Sequence, residues 1–425
     1  MGEASVVNEK EVQEVKVPSV FKEYRFVLLF LTLLVSSFSV SFFMVATNWY
    51  VVDYLGLEAM LGIVFFASSV PRLLFMLIGG VVADRISKAW VMFLSDFLKG
   101  VLLLGVIGFL FYDAYTIWPL VALAFVFGIL DAFFWPASSA ILPETVKEEQ
   151  LTRANTVIDM TRQGSMIVGP LLAATMLAVG GYVLIFTITA VSLIMAGVID
   201  LLIKKKMPEK REAVHSKGVQ RKETMIQAIK GGLAYVRKSP FLLALMTSTI
   251  FLNFFFSGPL QLGVPLFSSR ILNGDEVTYA FLNGGIAAGM LVGGVGVGLL
   301  NIQRKRGLIS ILAMSSLGLM FLGFSLSTTF ISSMFFIILL GVAISVTNIP
   351  LIAVIQSHTK REYLGRVMSL TSFASMGLLP VSYLVTSLFL AIGIAIELIM
   401  LVSAVGLAVV CFIILFKAKA LRTAD

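Results

Sequence analysis

The sequence predicts an all-α integral membrane protein with twelve transmembrane helices in two pseudo-symmetric six-helix bundles. Three observations carry that expectation. First, 58% of the 425 residues are hydrophobic and 13% are charged, against about 45–50% and about 25% in a soluble domain, and the mean hydropathy is +0.98. Second, apolar runs near the length that spans a bilayer recur from Phe26 to Phe416. Third, the lysines and arginines fall almost wholly into alternate connections between those runs. A soluble enzyme, a disordered chain and a nucleic-acid binder with a folded basic face are excluded by the same composition.

The runs lie at about 26–52, 57–82, 89–112, 117–139, 156–179 and 182–203, then at about 239–267, 278–300, 308–327, 331–356, 367–390 and 392–416. If the amino terminus is inside, every Lys and Arg except Arg72, Lys99, Arg162 and Arg270 lies in an inner connection or tail. Both termini are therefore expected in the cytoplasm of a cell-membrane protein. The chain divides into an arm (1–25), a first bundle (26–203), a basic medial loop (204–238), a second bundle (239–416) and a tail (417–425). The arm carries mixed charge and no small-residue cleavage site, so it reads as a solvated cytoplasmic segment, not a signal peptide.

The medial loop contains eleven basic residues and opens with Lys204-Lys205-Lys206. In its later part Met225, Ile226, Ile229, Leu233 and Val236 recur at helical spacing. That suits a helix lying on anionic lipid, or a solvated linker helix between two bundles. The halves echo each other: Thr161, Ser165, Met166 and Pro170 reappear as Thr371, Ser375, Met376 and Pro380, and Gly80 to Arg85 has a weaker echo in Gly296 to Arg306. Two duplicated halves around a midplane cavity suit a transporter that rocks between two open states.

The most specific motif is Gly80-Val81-Val82-Ala83-Asp84-Arg85-Ile86-Ser87-Lys88, between the second and third runs. It resembles the loop at that place in the major facilitator superfamily, departing at Ser87 (usually glycine) and Ala89 (often basic). The resemblance extends over essentially the whole chain, through span number, duplication and medial loop. It implies that Asp84 meets the start of the eleventh helix near Gly365-Arg366, where helix-end N–H groups and an arginine suit a carboxylate. The plainer alternative is that Asp84, Arg85 and Lys88 only enforce topology. Ser165-Met166-Ile167-Val168-Gly169-Pro170 is similar to the glycine–proline motif of the superfamily's exporters, where small residues and a proline permit close packing and a kink. Leu130 to Ala137, Leu233 to Pro240 and Leu364 to Val367 look like the branch of macrolide-efflux and enterobactin-export proteins. The resemblance thus implies export of an amphiphilic drug-like or siderophore-like compound by proton antiport, with a lipid flippase or a non-transporting sensor on the same scaffold as alternatives.

Charges inside the spans are few. Asp131 stands in the fourth, beside Phe133, Phe134 and Trp135. An ionised Asp at a span centre costs roughly 2.5–3.5 kcal/mol on insertion scales, so such acids commonly serve proton relays. Asp131 is the expected proton carrier, with a hydrogen-bonded structural acid as the alternative, and Arg72, after Pro71 in the second span, is its expected partner. The arginine that many superfamily antiporters place four residues before a glycine in the fourth span is absent; Ala124 precedes Gly128 here. Asp96 with Lys99, and Asp159 with Arg162, are spaced for ion pairs on one helix face and are expected near inner helix ends as structural or gating pairs.

By the resemblance, helices one, four, seven and ten line the cavity. Their candidates for cargo contact are Phe43, Asn48, Trp135, Asn253, Phe255, Gln261 and Asn348, with Ser39 and Phe42 nearby. An aromatic wall with few polar anchors suits a bulky amphiphile. The gating candidates are Gly80, Asp84, Arg85, Lys88, Asp96, Lys99, Asp159, Arg162, Gly169, Pro170 and Arg366. With one cysteine and two histidines, no disulfide, metal site or cofactor is expected. A phosphate-binding glycine loop, a zinc-protease motif and a nucleophile elbow are all missing. The expected partners are a small amphiphilic substrate, protons and membrane lipid, with no nucleic acid, and the chain is expected to act as a monomer.

Overall fold

The computed structural model describes residues 19–111, 116–206, 225–300 and 306–417, which are almost entirely helical. The helices are α1 (Tyr24–Trp49), α2 (Glu58–Arg85), α3 (Lys88–Phe111), α4 (Trp118–Ile141), α5 (Leu151–Lys206), α6 (Met225–Lys238), α7 (Pro240–Arg270), α8 (Glu276–Leu300), α9 (Arg306–Ser325), α10 (Phe330–His358), α11 (Arg361–Gly377), α12 (Leu379–Ala391) and α13 (Ile396–Lys417). Eleven helical stretches among the described residues are long and apolar enough to cross a membrane. One of them, Glu148–Lys204, is well over twice the length a single crossing needs. It is broken at Gly181, whose φ of 62° and ψ of −164° suit only a residue without a Cβ, so α5 makes two crossings, 151–180 and 182–206.

Each side of the medial segment therefore supplies six crossings. α11 and α12 form one crossing, interrupted at Leu378 (φ −97°, ψ 0°), where Pro380 starts the second piece. The last crossing starts at Ile396, a few residues later than the hydropathy suggested, because Gly393 (φ 85°) turns the chain first. Asp275 holds the start of α8: its carboxylate accepts the Thr278 N–H and hydroxyl, both at 2.9 Å. The backbone donor of Thr278 keeps this carboxyl below the usual carboxylate range.

The pairing of helices repeats between the halves. α2 packs on α4 as α8 packs on α10, and α3 packs on the 182–206 limb of α5 as α9 packs on α13. Glycines set both of the first pairings. A Cβ at Gly79 or Gly128 would strike the carbonyl oxygen of Ala132 or Ser68 on the facing helix. In the second half Gly289 and Gly341 stand in the same relation to the carbonyls of Ile338 and Ile286. Backbones approach that closely only where side chains are missing. Gly169 does the same for α1 against α5, its missing Cβ leaving room for the Ser41 side chain. The helix continues through Pro170, and the chain reverses at Gly181.

The medial helix α6 is seated on the second half. Val236 is buried, the Tyr235 ring stacks on Tyr363 at 4.5 Å, and the Lys360 N–H donates to the Tyr235 hydroxyl at 3.3 Å. Its Gly231 and Gly232 lie against Arg366, which also covers the Tyr363 ring. Residues 301–305 of the echo between Gly296 and Arg306 fall outside the described segments, as do the arm before Ser19 and the loop at 207–224.

Candidate transport site

Two adjoining cavities, of about 220 and 390 Å³, lie between the halves at mid-height. Val40, Met44, Asn48, Lys99, Asp131 and Gln261 line both, so they are lobes of one central site. The smaller lobe is walled by Phe43, Phe65, Phe127 and Tyr383 and contains Arg72; the larger contains Trp135, Phe134 and Arg162. Of the residues expected to face cargo, Phe43, Asn48, Trp135 and Gln261 do line it. Asn253, Phe255 and Asn348 do not. The Asn253 amide donates to its own helix at Thr249 O, the Phe255 ring fills the space beside Gly406 on α13, and Asn348 is exposed. Phe42 is core. Helix α10 lines neither lobe; α2, α3, α5 and α8 supply much of the wall instead.

The charge pairing differs from the sequence expectation. Asp131 is held by Lys99, whose ammonium donates to Oδ1 at 2.6 Å, and not by Arg72. The same ammonium is 3.5 Å from Asp96 and lies 5.0 Å over the Phe134 ring. Asp96 and Lys99 are 1% and 2% exposed, at the middle of α3 and not at a helix end as expected. The Ser36 hydroxyl of α1 donates to the other oxygen of Asp96. One buried ammonium thus links α3 to α4, and Asp96 links α3 to α1. Asp131 is the most open of these to the cavity, at 21% side-chain exposure. Arg72 lines the smaller lobe with Asp131, but no described carboxylate lies within ion-pair distance of it.

Arg162 reaches Asp159 at 4.0 Å and covers the Trp135 ring at 4.5 Å. It therefore lines the larger lobe, a position the expected gating pair did not imply. Lys88 pairs with Glu144 beyond α4. The side chains of Asp84 and Arg85 lie outside the described ones, so the expected contact from Asp84 towards Arg366 falls there too. Gly80 has open space around it.

The halves meet most closely at the Glu58 end. Arg270 Nε donates to Glu58 at 2.6 Å, the Asn48 amide donates to the Tyr279 hydroxyl at 2.6 Å, Trp49 stacks on Tyr279, and the Ser387 hydroxyl donates to Ala59 O. The exposed Glu58–Arg270 pair contributes about 0–1 kcal/mol to stability, yet it spans two bodies. The double change Glu58→Ala, Arg270→Ala is expected to leave thermal unfolding within a degree or so and to speed labelling of a cysteine introduced at Ala59. The background is Cys411→Ser, since the native thiol is buried. Unchanged labelling would show that the pair holds nothing shut.

A family model described as Major Facilitator Superfamily matches residues 29–383. The chain belongs to the Major Facilitator Superfamily. It is thus a multi-pass membrane transporter and not an enzyme. This superfamily member is 28% identical over 318 residues to Macrolide efflux protein A of Streptococcus pyogenes, covering 73% of this chain and 75% of that protein. It is 29% identical over 300 residues to Macrolide efflux protein A of Enterococcus faecalis, covering 69% and 89%. Among solved structures it is similar to the nucleoside transporter NupG, with a TM-score of 0.73 at 12% identity over 93% of this chain and 99% of that one. It is also similar to a bacterial homologue of the lysosomal transporter Spinster in an inward-facing, occupied conformation, with a TM-score of 0.69 at 13% identity over 95% and 98%. These two show the fold.

One residue at the heart of the bundle escaped the sequence reading. Asp200, on the 182–206 limb, is fully buried. Lys204, four residues later, lies over the Trp90 ring at 4.5 Å. The available signal was an acid inside a span whose neighbours on the same face, Leu193 and Ala196, are apolar.

Proposed function

We propose that this transporter exports amphiphilic, drug-like small molecules of macrolide, multidrug or siderophore type by proton antiport with alternating access. The observation that carries the reading is the Asp131–Lys99 pair: an acid open to an aromatic cavity on one side and held by a buried cation on the other. The efflux relatives support the direction. With both termini in the cytoplasm, as the distribution of basic residues favours, the closed Glu58 end faces outward and the chain stands inward-facing, ready to take cargo from the cytoplasm or the inner leaflet. Phe43, Phe65, Phe127 and Trp135 give such cargo apolar surface, while Asn48 and Gln261 orient it. Asp131 takes up a proton on the outward-facing side, and Arg72 is the second cation it meets when Lys99 turns away. One charge crossing a ~100 mV potential supplies about 2.3 kcal/mol, roughly a fifty-fold gradient of a neutral cargo.

Dye-detected proton movement in everted vesicles tests this. The challenge set is macrolides, ethidium-like cations, siderophores and lysolipids. Proton release is expected on adding one of the first three classes, with at least a tenfold loss in Asp131→Asn, which still folds because Lys99 keeps Asp96. A native signal undiminished by Asp131→Asn removes Asp131 from the cycle. A response to lysolipids alone would instead make the protein a lipid carrier.

A further inference from the structure

The antiport reading uses Asp131 and leaves Asp200 without a task. Neither oxygen of Asp200 has a hydrogen-bond partner among the described residues, and the residue is fully buried. Its polar surroundings come from two packed helices: Thr32 of α1, whose hydroxyl donates to Ala196 O at 3.0 Å one turn earlier, and Asp96 and Lys99 of α3. Asp131 of α4 is held by the same Lys99 ammonium. The Thr32 and Ser36 hydroxyls, one turn apart on α1, contact Ala196 O and Asp96 respectively, so Asp200 neighbours the Asp96–Lys99–Asp131 group. The ammonium is 2.6 Å from Asp131 and 3.5 Å from Asp96, and the Ser36 hydroxyl serves Asp96 as well. The Thr32 hydroxyl beside Asp200 is given to Ala196 O, and no other described side chain donates to the carboxyl. An ionised carboxylate without a donor or a counter-ion is not sustained in a protein interior, so this arrangement requires Asp200 to carry its proton.

We propose that Asp200 is the proton-storage carboxyl of the transport cycle, and that the Lys99 ammonium passes between Asp131 and Asp200. The proposal rests on the antiport reading and deepens it. In the inward-facing chain the O–H bond of Asp200 breaks and the proton leaves to water at the Lys204 end of its helix. The new carboxylate draws Lys99 from Asp131. Asp131 then faces the cavity as a bare carboxylate, a site for an ammonium group on the cargo. After the chain turns outward, a proton from outside adds to Asp131 and displaces the cargo cation. The proton then passes to Asp200 as Lys99 returns to Asp131, so charge and protons balance over the cycle. Proton release and cargo binding are linked because two carboxylates compete for one lysine. The cargo class this selects is an amphiphile with a basic amine.

Two measurements test it. The infrared spectrum of the purified native protein at neutral pH is expected to show a buried carboxylic-acid carbonyl band that persists in Asp96→Asn and is absent from Asp200→Asn. The amide copies the shape of the protonated acid, so Asp200→Asn is expected to unfold at or above the native temperature. In everted vesicles, macrolide-triggered proton release is expected to fall at least tenfold in Asp200→Asn and to return in Asp200→Glu. A band unchanged by Asp200→Asn, or native proton release in that variant, overturns the storage role while leaving antiport in place. If the native protein releases no proton with any compound of the panel, antiport itself fails and the storage role falls with it.

Discussion

Lys99→Met is expected to be the most damaging single change to side-chain chemistry in this protein. The substitution keeps the length and apolar stem of the side chain and removes only the ammonium. That ammonium is the counter-ion of Asp131 at 2.6 Å and of Asp96 at 3.5 Å, and it lies beneath a surface where only 2% of Lys99 is exposed. Breaking a buried pair by deleting one partner costs about 3–5 kcal/mol, because the remaining charge has no water to turn to. Here two acids lose their cation at once. The yield of folded protein in mild detergent should collapse, with a fall of many degrees in unfolding temperature and no measurable transport. Adding Asp96→Asn should recover most of the stability, since the orphaned charge is then gone, and the double-mutant cycle should show strong coupling. If Lys99→Met alone unfolds at the native temperature, Asp96 is protonated in the folded state and the ammonium is not its counter-ion.

The comparison with Asp131→Asn separates stability from chemistry. That change leaves Lys99 beside Asp96 and removes a carboxyl that already touches the cavity. The fold should hold and the coupling should fail. Removing the cation harms folding; removing the lumenal acid harms function.

Much of the architecture was legible in the sequence because a bilayer imposes it. Span length, span number and the placement of Lys204-Lys205-Lys206 are local properties of composition, and the echo of Thr161–Pro170 in Thr371–Pro380 announced the duplication. Cavity residues with a strong local signature, such as Phe43, Asn48, Trp135 and Gln261, were found as well. What escaped was pairing across helices. Lys99 meets Asp131 because α3 and α4 pack in one register, and nothing within either helix fixes that register; Arg72 on the adjacent α2 was the expected partner. Asn253, Phe255 and Asn348 were misplaced for the same reason, since helical spacing names a face but not the neighbour it meets. Asp200 was hidden by its nearness in sequence to three lysines, and only packing shows that it is buried while Lys204 lies over Trp90.

The same register makes the second large effect, which is steric. Gly128→Val is expected to force α2 and α4 apart. A Cβ at Gly128 would strike the Ser68 carbonyl oxygen and stand 2.8 Å from its carbon and 3.0 Å from Pro71 Cγ. Backbone cannot step aside as a flexible side chain does, so the helices must separate or rotate. Overpacking ordinarily costs about 1–3 kcal/mol, and a clash with main chain belongs at or above the top of that range. Gly128 lies one turn before Asp131, so separation also moves the carboxylate from Lys99 and opens the smaller lobe. The expected result is a fall of several degrees in unfolding temperature together with loss of efflux. Gly289→Val, which meets the Ile338 carbonyl on α10, should lower stability by a similar amount without moving Asp131 from Lys99. Gly164→Ala, with open space around it, should change little. The three together decide what the glycines are for. Equal losses of stability at Gly128 and Gly289 would mean that both halves are built on the same close approach. A native-like Gly128→Val would mean that α2 and α4 slide freely enough to admit a side chain, and then the Lys99–Asp131 contact is not fixed by the packing of the bundle.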